Sequence, residues 1–124
     1  MKVVNLTPHE ITLFGETINL KIPSSGVVRA TTKRKIVQKI TVESDFSSLI
    51  SVSIEIPVIE IEHERPEGLP KELRDNEIYI VSRIAAESIK KYNLGIASRF
   101  FTLSNIVRDD YGRVIGARAL SRIT

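Results

Sequence analysis

Two short segments of the sequence contain residues whose types and spacing could do chemistry, and the first is Thr7-Pro8-His9. The imidazole of His9 could act as a general base or bind a metal. A base needs a nucleophile or a carboxylate beside it, whereas neighbouring residues of a strand point to opposite faces. Proline fixes φ and lacks an N–H, which is typical of a turn. The triplet therefore predicts a chain reversal, in which His9 bonds a backbone carbonyl or Asn5.

The second segment is Ser82-Arg83, where an apolar run predicted to be a strand meets a predicted helix. Unpaired N–H groups and the helix dipole favour an anion at such a junction. The alternative is an ordinary serine cap followed by an exposed arginine. A cleft that brings His9, Ser82 and Arg118 together would indicate an enzyme that handles a small ligand or phosphate.

A cluster of basic residues offers a different kind of site. Five basic side chains fall within eleven residues, around a segment that we expect to be a loop or a hairpin tip: Arg29, Lys33, Arg34, Lys35 and Lys39. Such a cluster can contact the phosphates of a nucleic acid or another polyanion. The aromatic residues that would stack on single-stranded bases are missing from it. A solvated basic hairpin is the alternative.

The sequence lacks the residues and motifs that several classes of reaction require. The chain contains no cysteine, which excludes disulfides and thiolate metal sites, and its two histidines are far apart in sequence. No nucleophile elbow, phosphate-binding loop or dinucleotide fingerprint is present. We therefore expect neither a metal nor a cofactor.

Length and composition predict a single globular domain over residues 1–124.

No apolar run approaches the roughly 20 residues of a membrane helix, and the apolar stretch at the N-terminus is too short for a signal peptide. We therefore expect a cytoplasmic protein without a membrane partner. Eighteen isoleucines against nine leucines favour a β-rich chain, and the scarcity of thermolabile residues, with one glutamine and one methionine, favours a thermophilic source. The net charge is +5 over residues 1–42, −7 over 43–77 and +5 over 78–124, which predicts segregated basic and acidic surfaces.

The elements that must position these residues follow from the apolar periodicity. Short alternating runs bounded by turn residues predict strands, and Ile78–Val81 reads as a buried strand. An apolar stripe after Ser82 predicts one helix, closed by Gly95. The expected fold class is α+β, with an antiparallel-rich or mixed sheet and one main helix.

The segment Ile50–Ile61 is long, rich in isoleucine and valine, and carries little positive charge. Left at the edge of a sheet, such a strand would pair with another chain. Pro57 cannot donate to a ladder, which favours an edge position or a bulge. We therefore expect a covered edge or a homo-oligomer built on it.

Four motifs in order resemble those of small uncharacterised proteins from phages, prophages, archaeal viruses and microbial genomes. They are Asn5–His9, Pro23–Gly26, Ile78–Arg83 and Gly112–Arg118. The resemblance implies a virus or mobile element as the setting and no particular activity.

Three functions remain open from the sequence. It favours an accessory protein that binds nucleic acid or another polyanion. The alternatives are an enzyme using His9 or the Ser82-Arg83 junction, and a structural or partner-binding oligomer.

Overall fold

The fold consists of a six-stranded sheet with one main helix, and a separate ribbon of two long strands. The structure, a computed structural model, describes residues 1–47 and 50–123. Its elements, in chain order, are β1 (Lys2–Asn5), β2 (Ile11–Phe14), β3 (Asn19–Ile22), β4 (Thr32–Ser47), β5 (Ile50–His63), β6 (Glu77–Ile80), α1 (Arg83–Tyr92), a 3₁₀ helix (Leu94–Arg99), β7 (Phe100–Arg108) and β8 (Val114–Arg122). Strand makes up 53% of the chain and helix 14%, so the predicted α+β class is confirmed.

The large sheet is mixed. Its strand order is β1-β6-β7-β8-β2-β3. The neighbours β1/β6, β6/β7 and β8/β2 are parallel, whereas β7/β8 and β2/β3 are antiparallel. A bridge between Asn5 and Ser24 joins the end of β1 to the chain just after β3, and the Ser25 N–H donates to the Asn5 carbonyl at 2.8 Å. The two edges of the sheet therefore meet at this point.

The closeness of β2 and β8 depends on a glycine. Gly116 of β8 lies beside Thr12 of β2 in a parallel pair. A side chain at Gly116 would overlap the Thr12 carbonyl and the ring of Phe14. The glycine of the Gly112–Arg118 motif thus has a packing role.

The core lies between α1 and the sheet. Tyr79 and Phe100, from the neighbouring strands β6 and β7, are buried with ring centroids 5.5 Å apart. The helix contributes its buried face, including Ala85 and Ile89, to the same apolar cluster. This apolar contact holds the N-terminus of α1 at the end of β6.

The helix begins as the sequence predicts and ends differently. Ser82 is the N-cap, and its hydroxyl accepts a hydrogen bond from the Ala85 N–H at 3.3 Å. The prediction that Gly95 closes the helix is wrong. The C-cap is Asn93, whose N–H donates to the Ile89 carbonyl, and Gly95 falls inside the 3₁₀ helix.

The chain divides into two compact units, one formed by residues 1–31 and 63–124 and the other by Thr32–Glu62. The second unit is the ribbon, in which β4 and β5 form a two-stranded sheet. The loop or hairpin tip expected at Lys33–Lys35 is wrong, because these residues lie inside β4. Successive charged residues indicate a segment in contact with solvent, which is usually a loop. Because this ribbon is exposed to solvent on both faces, its strands can also carry successive charges. The single domain expected over residues 1–124 stays a prediction.

The ribbon has an unusually apolar surface. Nine of its large aliphatic side chains are exposed, among the residues whose burial is described: Ile36, Val37, Ile40, Val42, Val52, Ile54, Ile56, Ile59 and Ile61. A two-stranded sheet is marginally stable in water by itself. Strand alternation puts Ile36, Ile40 and Val42 on one face of β4 and Val37 on the other, so apolar side chains lie on both faces of the ribbon. Covering them with another surface would be stabilising.

Candidate functional site

The loop after β1 is organised by Asn5 and not by His9. Asn5 is fully buried, and its side-chain amide donates to the carbonyls of His9 at 2.8 Å and Ile22 at 3.0 Å. Its side-chain oxygen accepts from the N–H of Thr7 at 3.0 Å and from the Thr7 hydroxyl at 2.5 Å. His9 contributes its backbone carbonyl, and its imidazole is exposed. This geometry agrees with the interpretation of the triplet as a chain reversal.

Ser82 and Arg83 lie in a groove at the N-terminal end of α1. The groove has a volume of about 720 Å³, and Thr102, Ser104 and Ser121 add hydroxyl groups to its lining. Arg83 is exposed, and the Ser82 oxygen already accepts the capping bond. Chemically, the groove offers hydroxyl donors and one guanidinium group to a small polar ligand.

The structure does not place His9, Ser82 and Arg118 around one groove. His9 does not line the groove that contains Ser82. Arg118 lines a different, mostly apolar groove of about 250 Å³, where its guanidinium lies 5.6 Å from the ring centroid of Phe14. The arrangement that would indicate an enzyme is therefore not formed by these three side chains.

The five basic residues of the predicted polyanion site are divided between the two units. Arg29 belongs to the larger unit, where its backbone bridges to Glu67. The other four, Lys33, Arg34, Lys35 and Lys39, are exposed on β4. The strand alternation puts the three lysines on one face and the arginine on the other.

An acidic strand lies next to this basic one. β5 pairs with β4 and carries three exposed carboxylates, Glu55, Glu60 and Glu62, with no lysine or arginine. Lys33 also has an interaction partner within the chain. A polyanion on the ribbon would therefore meet negative charges close to the positive ones.

The segments of the larger unit that flank the ribbon in sequence are hydrogen-bonded within that unit. The Glu64 N–H donates to the Thr31 carbonyl at 2.9 Å, so the two connecting segments lie side by side. The Tyr92 hydroxyl of α1 donates to the His63 carbonyl at 2.9 Å, and Ser88 donates to the Glu64 carbonyl. These bonds all lie within the larger unit, at the two points where its chain leaves for the ribbon and returns from it.

The exposed apolar side chains of the ribbon are a further candidate site, which the sequence predicts only in part. The sequence predicts that the apolar strand Ile50–Ile61 has a covered edge or carries a homo-oligomer, and the structure adds the exposed Ile36, Val37, Ile40 and Val42 on the neighbouring strand. The available signal was the alternation of Ile36, Ile40 and Val42 directly after a basic run. This alternation predicts a strand, but it does not predict that the apolar side chains of the strand are exposed.

Comparison with known proteins gives no match: no family model, no curated protein and no solved structure matches the chain. Within residues 1–47 and 50–123, no three His, Asp or Glu side chains form a group that could hold a metal ion. In the same part of the chain, no helix is long and apolar enough to cross a membrane.

Proposed function

We propose that this protein is a structural, partner-binding protein that works as an oligomer, with the β4–β5 ribbon as its association surface. The observation that carries the proposal is the set of nine exposed aliphatic side chains on a sheet of two strands. A concentration of exposed aliphatic side chains on a folded protein is typical of an interaction site. Association along the ribbon would bury part of these side chains and add strands to a sheet that is marginally stable with two.

The unpaired edges of the ribbon support the same function. In the described sheet β4 and β5 each have one neighbour, so each leaves one edge of backbone N–H and carbonyl groups unpaired. Such an edge is a template for a strand of another chain. The lengths of β4 and β5, 16 and 14 residues, are well above the five or six residues that are roughly the commonest strand length.

The proposed setting is a virus or mobile element. It is supported by the resemblance of four motifs to small uncharacterised proteins of phages, prophages, archaeal viruses and microbial genomes: Asn5–His9, Pro23–Gly26, Ile78–Arg83 and Gly112–Arg118. The absence of cysteine fits a cytoplasmic location, which would be the host cytoplasm for a viral protein.

Light scattering coupled to gel filtration tests the proposed function. We expect the unmodified chain to elute with a mass of at least twice 13.9 kDa at high concentration and to shift toward 13.9 kDa on dilution. A mass of 13.9 kDa at every concentration would contradict self-assembly.

A second candidate function is the binding of nucleic acid or another polyanion. It is favoured by Lys33, Lys35 and Lys39, which alternate onto one face of β4. The acidic residues of β5 oppose it, so we expect dissociation constants that are roughly micromolar or weaker at physiological salt.

Fluorescence anisotropy with labelled duplex and single-stranded oligonucleotides at several salt concentrations tests this candidate. Replacing Lys33, Arg34 and Lys35 with alanine should reduce the salt dependence of binding and weaken all sequences about equally, because phosphate contacts carry no base information. Lack of binding at low salt, or binding that the triple substitution leaves unchanged, would exclude it.

A further inference from the structure

We propose that two copies of this chain join β4 to β4 in antiparallel orientation about a two-fold axis at Gln38, forming a four-stranded sheet. The inference rests on the proposed function and names the partner and the edge that the assembly uses. It is drawn from the backbone, the charges and the apolar side chains of β4.

The edge of β4 is the better of the two for pairing. β4 has 16 residues and contains neither proline nor glycine, so every residue has an N–H group and a side chain. β5 contains Pro57, which has no N–H to donate. An added strand can therefore form a continuous ladder along β4 but not along the whole of β5.

The charges of β4 are complementary to themselves when two copies run in opposite directions. The basic residues occupy its first half, from Lys33 to Lys39, and the exposed Glu43 lies in its second half. An antiparallel pair sets the first half of one strand against the second half of the other. A parallel pair would set the basic halves of the two β4 strands against each other. Pairing β5 with β5 would bring glutamates together, since these are the only charged residues of β5 described as exposed.

The side chains along β4 select the register. With Gln38 on the axis, Ile36 faces Ile40 of the second copy, and Lys33 faces Glu43 of the second copy, each twice. An axis at Lys39 would set two lysines directly opposite each other, which is destabilising. The ammonium group of Lys33 has three donors, so the ion pair is compatible with the partner that Lys33 has within its own chain.

Two-fold pairing also gives a closed assembly, whereas head-to-tail pairing does not. Joining β4 of one copy to β5 of the next would leave a free β4 edge at one end and would propagate into a filament. In the two-fold pair both β4 edges are consumed, and the outer edges are the β5 strands with Pro57. Growth by edge-to-edge pairing therefore stops at two copies.

Single cysteines test the axis, because the natural sequence has none. Opposite residues of an antiparallel pair have Cα atoms about 4.5 to 5.5 Å apart, within the range that a disulfide spans. We expect Gln38→Cys to form a covalent dimer under mild oxidation at least roughly tenfold faster than Ser53→Cys, a matched exposed position on β5. Ile40→Cys, offset from the axis, should cross-link more slowly than Gln38→Cys.

Light scattering on the same reduced samples separates the two claims. Gln38→Cys that is dimeric in solution but does not cross-link, or that cross-links no faster than Ser53→Cys, would overturn the β4 pairing and leave the assembly function in place. Samples that are monomeric and do not cross-link would overturn both.

Discussion

Lysine at three apolar positions of the ribbon, Ile36→Lys, Ile40→Lys and Ile54→Lys, should weaken self-association by at least about 100-fold. Burying one such side chain contributes roughly 1.5 to 3 kcal/mol, and each tenfold change in a dissociation constant corresponds to about 1.4 kcal/mol. Their exposure in the single chain is 58%, 39% and 55%. Because they are this open before association, the substitutions should change the stability of the monomer little.

The matched control for this variant places lysine at three exposed apolar positions of the larger unit. Ile18, Ile84 and Leu94 are exposed to 68%, 51% and 66%, so Ile18→Lys, Ile84→Lys and Leu94→Lys make the same change of charge at comparable exposure. Sedimentation velocity over a range of concentrations should show the control associating as the unmodified chain does. Equal association by the ribbon variant and the control would place the association surface elsewhere.

Asn5→Leu should lower the free energy of unfolding by about 3 kcal/mol, since it removes one buried polar side chain that satisfies several partly buried backbone groups. The carbonyls of His9 and Ile22 would lose a donor, and the Thr7 N–H would lose its acceptor. The loss falls where the two edges of the large sheet meet, so it should destabilise the whole larger unit.

Thermal unfolding followed by circular dichroism measures this effect. A loss of about 3 kcal/mol corresponds to a decrease in Tm on the order of 10 °C for a chain of this size. Asn19→Leu is the control, because Asn19 is exposed on β3 and should tolerate the same change. Equal Tm values for the two variants would contradict the role given to Asn5.

The parts of the fold that depend on neighbouring residues were predictable from the sequence. Ser82 caps α1 as its hydroxyl and position suggest, and Gly112 has the positive φ of 80° that a turn between β7 and β8 requires. The chain reversal after Asn5 was also predicted. Its cause, an asparagine whose side-chain oxygen accepts the N–H of Thr7 two residues on, is a local pattern that the sequence contains.

The parts that depend on distant pairing were not predictable. β1 pairs in parallel with β6, which lies more than seventy residues away, and no local pattern specifies that choice. The burial of Asn5 follows from the same closure and could not be read from a polar residue near the N-terminus. The exposure of the ribbon likewise depends on whether another element covers it. The apolar periodicity of a strand shows which side chains share a face, but not whether another element packs on that face.

Hydrogen exchange with mass spectrometry, at two widely separated protein concentrations, tests the role of the ribbon most directly. A ribbon that is open in the monomer exchanges its edge amides quickly, and association protects them. We predict that protection rises with concentration in β4 and the adjoining part of β5, while α1 and the large sheet exchange equally at both concentrations. Protection that is independent of concentration in the ribbon, or that rises only in the larger unit, would contradict the assignment of the ribbon as the association surface.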